Sequence, residues 1–214
     1  MPKNKIIASP VIKRLPRYYR FLGDLLENGV KRISSRELSE RMGLTASQIR
    51  QDLNCFGGFG QQGYGYAVES LYNEIGSILG LGNSYNTILI GAGNLGKAVA
   101  VHMSFETRGF NLIGIFDNDP QKIGSSIRDL TVADTDKIED FCTANKIDAA
   151  ILCVPKTAAP QLADRLYALG IRNYWNFSHY DLSMRFDDIV VENVHLNDSL
   201  MILCYKMSDK SPEE

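Results

Sequence analysis

Three glycines at positions 91, 93 and 96, in the stretch TILIGAGNLGKAVA (87–100), have the spacing of a loop that holds a dinucleotide pyrophosphate. The motif follows an apolar, β-branched run, opens a helical one, and is followed by Asp117, 21 positions past Gly96. Gly91 permits the tight turn, and Gly93 lets the main chain approach the pyrophosphate. Gly96 lets the helix pack close to the strand, with its first-turn N–H groups and dipole facing negative charge. Asp117 is placed to accept hydrogen bonds from the adenosine ribose hydroxyls and to repel a 2′-phosphate, which favours NAD(H) over NADP(H). A coenzyme A site on a related fold, and a glycine turn with no ligand, are the competing readings.

A nicotinamide that reacts needs a general acid or base beside it, and usually a cationic clamp for substrate. The chain has three histidines, His102, His179 and His195. His102 lies on the helix after the phosphate loop, between Val101 and Met103; His179 follows the last clear strand, in NFSHYD, at the edge where ligands bind. No stretch is left over for a substrate-specificity domain, so an NAD-dependent oxidoreductase is the weaker reading. The four cysteines, Cys55, Cys142, Cys153 and Cys204, are scattered without a CxxC pair. That pattern points to reduced, mostly buried thiols, with a metal site or a disulfide framework not expected. No apolar run reaches the roughly 18 residues of a membrane span, and MPKNKIIASP lacks a signal-peptide core; a soluble cytoplasmic protein is expected.

The elements that must position the loop follow from periodicity. TILIG (87–91), LIGIFD (112–117), AAILCV (149–154) and IRNYWNF (171–177) are short apolar or aromatic runs, separated by helical stretches at 94–108, 136–145 and 158–169. Strands alternating with helices, without Gly-Asn-type hairpins, predict a parallel sheet of right-handed βαβ units. The last stretch, HLNDSLMILCYKM, predicts a helix capped near Asn197 or Asp198. Leu200, Met201, Ile202, Leu203, Cys204 and Met207 make it apolar on nearly every side, so burial against another subunit is expected.

The charge is unevenly placed: residues 1–66 carry +6 and residues 67–214 carry −8. A basic head on an acidic body is the footprint of a polyanion-binding module joined to something else. Ser9-Pro10 reads as a helix start. From Pro16, PRYYRFLGDLLENG sets Tyr19, Leu22, Leu25 and Leu26 on one stripe and stops at Gly29. Ser34 and Glu37 have capping-box spacing before a short helix ending at Gly43, and Thr45 and Gln48 repeat that spacing. The second of these helices turns Ile49, Leu53 and Phe56 inward and Ser47, Gln48, Arg50 and Gln51 outward, the arrangement of a helix-turn-helix whose second helix enters the major groove. Lys31, Arg32, Arg36 and Arg41 are placed to meet phosphates. VESLYNEIGSILGL predicts a further amphipathic helix, and GGFGQQGYGY (57–66), with Phe59, Tyr64 and Tyr66, predicts a β-ribbon or wing that touches DNA.

Taken in order, IKRLPRYYRFL, SQIRQDL, FGQQGYGY, GAGNLGKAVA, IFDNDPQKIG and NFS resemble the successive signatures of the redox-sensing transcriptional repressor Rex family, over about residues 6–206. The resemblance implies an α/β protein in which an N-terminal winged helix-turn-helix domain (1–80) precedes a C-terminal Rossmann-like parallel-sheet domain (81–192). A C-terminal helix and tail (193–214) would be exchanged between the subunits of a homodimer. It implies NAD(H) as a sensed ligand: NADH closes the dimer and releases operator DNA, while NAD+ competes and leaves the DNA-binding form favoured. Ala92, Asn94, Leu95, Val154, Pro155, Asn176 and Phe177 would join the glycines and Asp117 around the cofactor. His102, Phe105 and His195 would form the nicotinamide switch. Arg14, Ser47, Gln48, Arg50, Gln51, Gln61, Gln62, Gly63 and Tyr64 would meet double-stranded DNA. No membrane and no metal is implied.

This chain departs from the family's pattern at several places. His102 stands where a Tyr is usual and His195 where an Asp is usual, and two histidines can pair through a neutral tautomer or repel when both are protonated. Gln51 and the Gln61-Gln62 tip replace residues that are commonly basic. Since Gln pairs bidentately with adenine, with about 1–3 kcal/mol of discrimination per good pair, an operator richer in A·T with adenine opposite Gln51 is expected.

Overall fold

The computed structural model describes residues 7–56, 60–61 and 64–209, Gly60 and Gln61 by their backbone. The chain divides into two compact units, Met1–Gly82 and Asn83–Glu214.

In the first unit, α1 (Ser9–Glu27) is one helix that runs through Pro16 instead of starting there. Proline removes one helical hydrogen bond, yet burial of Leu15, Tyr18, Leu22 and Leu25 on one stripe holds the helix together. Pro10 sits in its first turn as expected, but the N-cap is Ala8, whose side chain cannot cap. Tyr19 faces α4 (Val68–Ile78), where its ring stacks on Tyr72 with centroids 4.2 Å apart. The capping box on α2 (Ser35–Met42) forms as read: Ser34 Oγ accepts from Glu37 N–H, and the Glu37 carboxylate from Ser34 N–H. Gly43 ends that helix at φ +61°, a left-handed conformation glycine adopts freely. Thr45 then caps α3 (Ala46–Asn54) by accepting from Gln48 N–H.

The glycine-rich stretch is a ribbon where it is described. Strand β3 (Gly65–Ala67) lies between β1 (Arg32–Ile33) and β2 (Gly60–Gln61), antiparallel to both. Phe59, Gln62 and Gly63 of the expected wing lie outside the described residues. With α1, α2, α3 and α4 this sheet completes a winged helix around Leu22, Leu38, Met42, Ile49 and Leu53.

The second unit is a doubly wound sheet in the order β10-β9-β8-β4-β5-β7-β6. Its parallel members are β4 (Tyr85–Ile90), β5 (Phe110–Asp117), β7 (Leu130–Asp134), β8 (Ala149–Leu152), β9 (Asn173–Asn176) and β10 (Val190–Asn193). Central β4 is buried on both faces, Ile88 and Ile90 in one core cluster and Leu89 in the other, which is why it reads as a continuous apolar run. Helices α5 (Asn94–His102), α6 (Ile138–Ala144) and α7 (Ala159–Ala168) connect strands, each within an expected helical stretch. The expected 94–108 helix breaks at Met103, and a separate 3-10 turn covers Glu106–Arg108.

Strands β1, β6, β7 and β10 are absent from the sequence reading, β7 among them as a parallel neighbour of β5. Strand β6 (Ser126–Ile127) forms an antiparallel hairpin with β7 across Arg128-Asp129, where Arg128 takes φ 54° in place of the usual glycine. Strand β10 is only four residues long. On β9, Trp175 packs edge-on against Phe177 with centroids 4.8 Å apart. The final helix, α8 (Leu196–Ser208), buries none of its residues against the rest of the chain. Among the described residues no helix is long and apolar enough to cross a membrane.

Candidate functional site

The sheet's hydrogen bonding continues one residue beyond its strands. Gly91 N–H donates to Phe116 O and Cys153 N–H to Ile90 O, both at 2.8 Å, while Phe177 N–H reaches Leu152 O at 2.9 Å and Val194 N–H reaches Asn176 O at 2.8 Å. These bonds draw the segments after β4, β8, β9 and β10 to one edge. Strand order reverses between β4 and β8, and in open α/β sheets ligands bind in the crevice at that reversal. Gly91 to Gly96, Asp117, Val154, Pro155, Phe177 and His195 therefore meet at the carboxyl edge. Asn176 also reaches it, but its side chain is spent locally: Oδ1 accepts from Ser178 N–H and Oγ–H, and Nδ2 donates to Tyr180 O and Asn193 Oδ1.

Two loop glycines are required by contact. Gly91 holds φ +99°, and a Cβ there would lie 2.4 Å from Cys153 O; one on Gly96 would lie 1.8 Å from Gly91 O. Gly93 is different, with nothing within 4 Å of where its Cβ would be. It is the N-cap of α5, a helix that no side chain caps, so the first-turn donors open onto free space over Gly93. That is a fit for a pyrophosphate.

Asp117 is buried at the end of β5. Its Oδ2 accepts from Ala92 N–H at 2.6 Å and its Oδ1 from Asp119 N–H at 2.9 Å. The Lys122 ammonium lies 3.3 Å from Asp117 Oδ2 and 3.3 Å from Asp119 Oδ2. The carboxylate thus pins the glycine loop to β5 and is joined to a cation, neither of which the motif alone announces. Next to the loop, burial pushes the Cys153 thiol up to about 12, so it stays protonated.

His102, Phe105 and His195 are not brought together within the chain. His102 is exposed at the end of α5, which carries it roughly 12 Å along the helix from Asn94. Phe105 is buried, and Phe110 N–H at the start of β5 donates to its carbonyl, at the opposite edge of the sheet. His195 pairs instead with His179, Nδ1 to Nδ1 at 3.0 Å with the rings stacked. One ring must present Nδ1–H and the other a bare Nδ1. His179 holds φ 57°, uncommon for a side-chain-bearing residue, and so turns its ring back toward the start of α8.

In the head, Ser47, Arg50 and Gln51 are exposed on α3, and Arg50 Nη1 donates to Ser35 Oγ at 3.1 Å. Tyr64 is exposed at the ribbon, with its carbonyl accepting from Arg32 Nη1 at 2.8 Å. Arg32 thus supports the ribbon as well as adding charge. Gln48 departs from the expected outward set: its Nε2 donates to Asp52 Oδ1 at 2.8 Å. Arg14 clamps the same carboxylate through Nε and Nη2, each at 2.7 Å, and Tyr18 Oη–H donates at 2.9 Å. Burial alone would push Asp52 up; the donors from Arg14, Gln48 and Tyr18 outweigh it and hold the carboxyl below its usual range. Gln61 is described as backbone only, and Gln62 and Gly63 lie outside the described residues.

A winged-helix head joined to a nucleotide-type Rossmann body defines a class, the ligand-responsive DNA-binding regulators. A family model described as "Putative DNA-binding protein N-terminus" matches residues 6–54, and one described as "CoA binding domain" matches residues 83–180. The chain is 60% identical over 210 residues (98% of this chain, 93% of the relative) to the redox-sensing transcriptional repressor Rex of Thermoanaerobacter sp. (strain X514). It is 55% identical over 208 residues (97% and 98%) to the Rex protein of Clostridium perfringens (strain 13 / Type A). Among solved structures it resembles RSP in complex with β-NAD+ and operator DNA, at 59% identity and TM-score 0.89 over 97% of this chain and 95% of that one. It equally resembles RSP in complex with β-NADH, at 56% identity and TM-score 0.88 over 97% of each. The chain belongs to the Rex family of redox-sensing transcriptional repressors.

Proposed function

We propose that this protein is a DNA-binding repressor that reads the NADH/NAD+ ratio and transforms neither nucleotide. The observation that carries the reading is the pairing of an uncapped helix start over open space at Gly93 with a winged-helix head, in a chain 56–59% identical to a repressor solved with NAD+ and operator DNA and with NADH. Gly91, Ala92, Gly93, Asn94, Leu95 and Gly96 hold the pyrophosphate, Asp117 the adenosine ribose, and Val154, Pro155 and Phe177 line the crevice. Ser47, Arg50 and Gln51 meet base edges, and Tyr64 meets the backbone. Arg14 and Gln48 act through Asp52, fixing the angle of α3.

The protein works as a cytoplasmic homodimer. Leu196, Leu200, Met201, Ile202, Leu203, Tyr205 and Met207 are each 51–68% exposed in the single chain, an apolar surface that a partner subunit covers. Exchange of α8 gives the dimer two states. NADH closes it and draws the heads out of register with successive major grooves; NAD+ leaves the open form favoured. A ligand shifts such an equilibrium only by its differential affinity, so the groups at the nicotinamide, not the glycine loop, discriminate.

The test is an electrophoretic mobility assay on DNA from upstream of the protein's own gene, with NAD+ and then NADH added. Retention with NAD+ and release with NADH is expected; equal retention with both refutes the reading. The second family model favours one rival, a coenzyme A sensor. Calorimetry with NADH, NADPH and coenzyme A separates the two, and tight binding of coenzyme A alone would establish the rival.

A further inference from the structure

We propose that Lys122 is a specificity-determining residue of the ribose end of the nucleotide site, one that sets how strictly the chain separates NADH from NADPH. An acidic residue at the end of the second parallel strand is ordinarily enough to accept the ribose hydroxyls and turn away a 2′-phosphate. Here that carboxylate is already engaged. Asp117 takes the Ala92 and Asp119 N–H groups, and Lys122 Nζ stands within 3.5 Å of both its oxygens. The ammonium also bridges to Asp119, so two carboxylates and one cation share the turn after β5.

Lys122 has the right character to face a ligand. Its side chain is 37% exposed while that of Asp117 is 6% exposed, so the cation is the more accessible of the pair. An ammonium has three donors; one can be shared between the two Asp117 oxygens, at 3.5 and 3.3 Å, and one given to Asp119. That sharing frees a donor for an oxygen on the ribose. A ribose hydroxyl both donates and accepts, so it can give its proton to Asp117 and take one from Lys122. A 2′-phosphate can only accept, and it meets a turn of net charge −1 with Lys122 present and −2 without it. Lys122 therefore softens the repulsion that Asp117 and Asp119 impose on NADPH. Burial opposes the ammonium, but its bonds to Asp117 and Asp119 prevail and keep it charged above its ordinary range.

This inference rests on the reading of the loop as an NAD(H) site. The experiment is titration calorimetry of the full-length protein with NADH and NADPH, on the parent, Lys122→Met and Lys122→Arg. Removing the cation is expected to weaken NADH about threefold and NADPH about thirtyfold, so the NADPH-to-NADH ratio of Kd rises about tenfold. Lys122→Arg should keep that ratio within about twofold of the parent, because it preserves the charge. A purely structural role would weaken both nucleotides alike and leave the ratio still. An unchanged ratio in Lys122→Met, with NADH binding retained, overturns the inference. If the parent binds neither nucleotide but binds coenzyme A, it is the underlying assignment that falls, and the inference with it.

Discussion

Replacing Asp52 with alanine should loosen the head while sparing the body. The carboxylate is 1% exposed and accepts four hydrogen bonds, two from Arg14 and one each from Tyr18 and Gln48. Without it the Tyr18 hydroxyl, fully buried, has no acceptor, a loss of about 1–3 kcal/mol. Arg14 is 27% exposed and can turn partly to water, which discounts its share. The sum is about 3 kcal/mol, at the low end of the 3–5 kcal/mol typical of breaking a buried ion pair. For a unit of this size that lowers the midpoint by at least about 12 °C. Native-state hydrogen exchange is the assay: protection in α1 and α3 should fall, with β4 and β8 of the same molecule as internal controls. Asp52→Asn, which keeps one acceptor for Tyr18, should lose less. The pH dependence follows from the depressed carboxyl: its stabilisation is fully present above the unfolded value of about 4 and is lost as pH falls through the lower folded value. This acid loss should vanish in Asp52→Asn. Head protection within about 0.5 kcal/mol of the parent in Asp52→Ala would refute the account of this cluster.

Gly96→Ala puts a methyl 1.8 Å from Gly91 O, so NADH affinity by calorimetry should fall at least about tenfold, while DNA binding without nucleotide stays within about twofold. Leu200→Glu with Leu203→Glu places charge on the exposed face of α8, and sedimentation should then show a monomer. Arg50→Ala should weaken operator binding by about 1–3 kcal/mol in a mobility assay, and unchanged retention would remove Arg50 from the interface. His102→Tyr combined with His195→Asp should sharpen NADH-driven release from DNA, and an identical NADH titration would show that neither histidine weakens the switch.

Local chemistry carried most of the fold into the sequence. Ser34-Glu37, Thr45 and Gly43 are capping signals whose geometry is decided within a few residues; the Ser34-Glu37 box and Gly43 form as read, while Thr45 caps without its reciprocal partner because the Gln48 side chain goes to Asp52. The glycine spacing likewise fixes the loop, because a Cβ at Gly91 or Gly96 would overlap the main chain. What was hidden depends on partners far away in the chain. Asp52 lies three residues past Ile49 and beside Leu53, on the inward face of α3, so an inward charge was visible. Its acceptance of Arg14 across 38 positions was not. The β6–β7 hairpin escaped because Arg128 fills a positive-φ position where glycine or asparagine would have marked the turn. The His179–His195 contact needed the parallel register of β9 with β10, which sets Val194 beside Asn176 and so brings the two loops together.

The chain has a single tryptophan, and it is Trp175 on β9, packed against Phe177 at the carboxyl end of the sheet. Indole fluorescence of the whole protein therefore comes from the body and from nowhere in the head. Reduced nicotinamide absorbs light in the band where indole emits, and oxidised nicotinamide does not. A unit of this length has a radius of gyration of about 14 Å, so any dinucleotide bound in it lies within range of energy transfer. Without dye or label, the glow of one side chain should dim for NADH and not for NAD+, an optical readout of site occupancy by redox form.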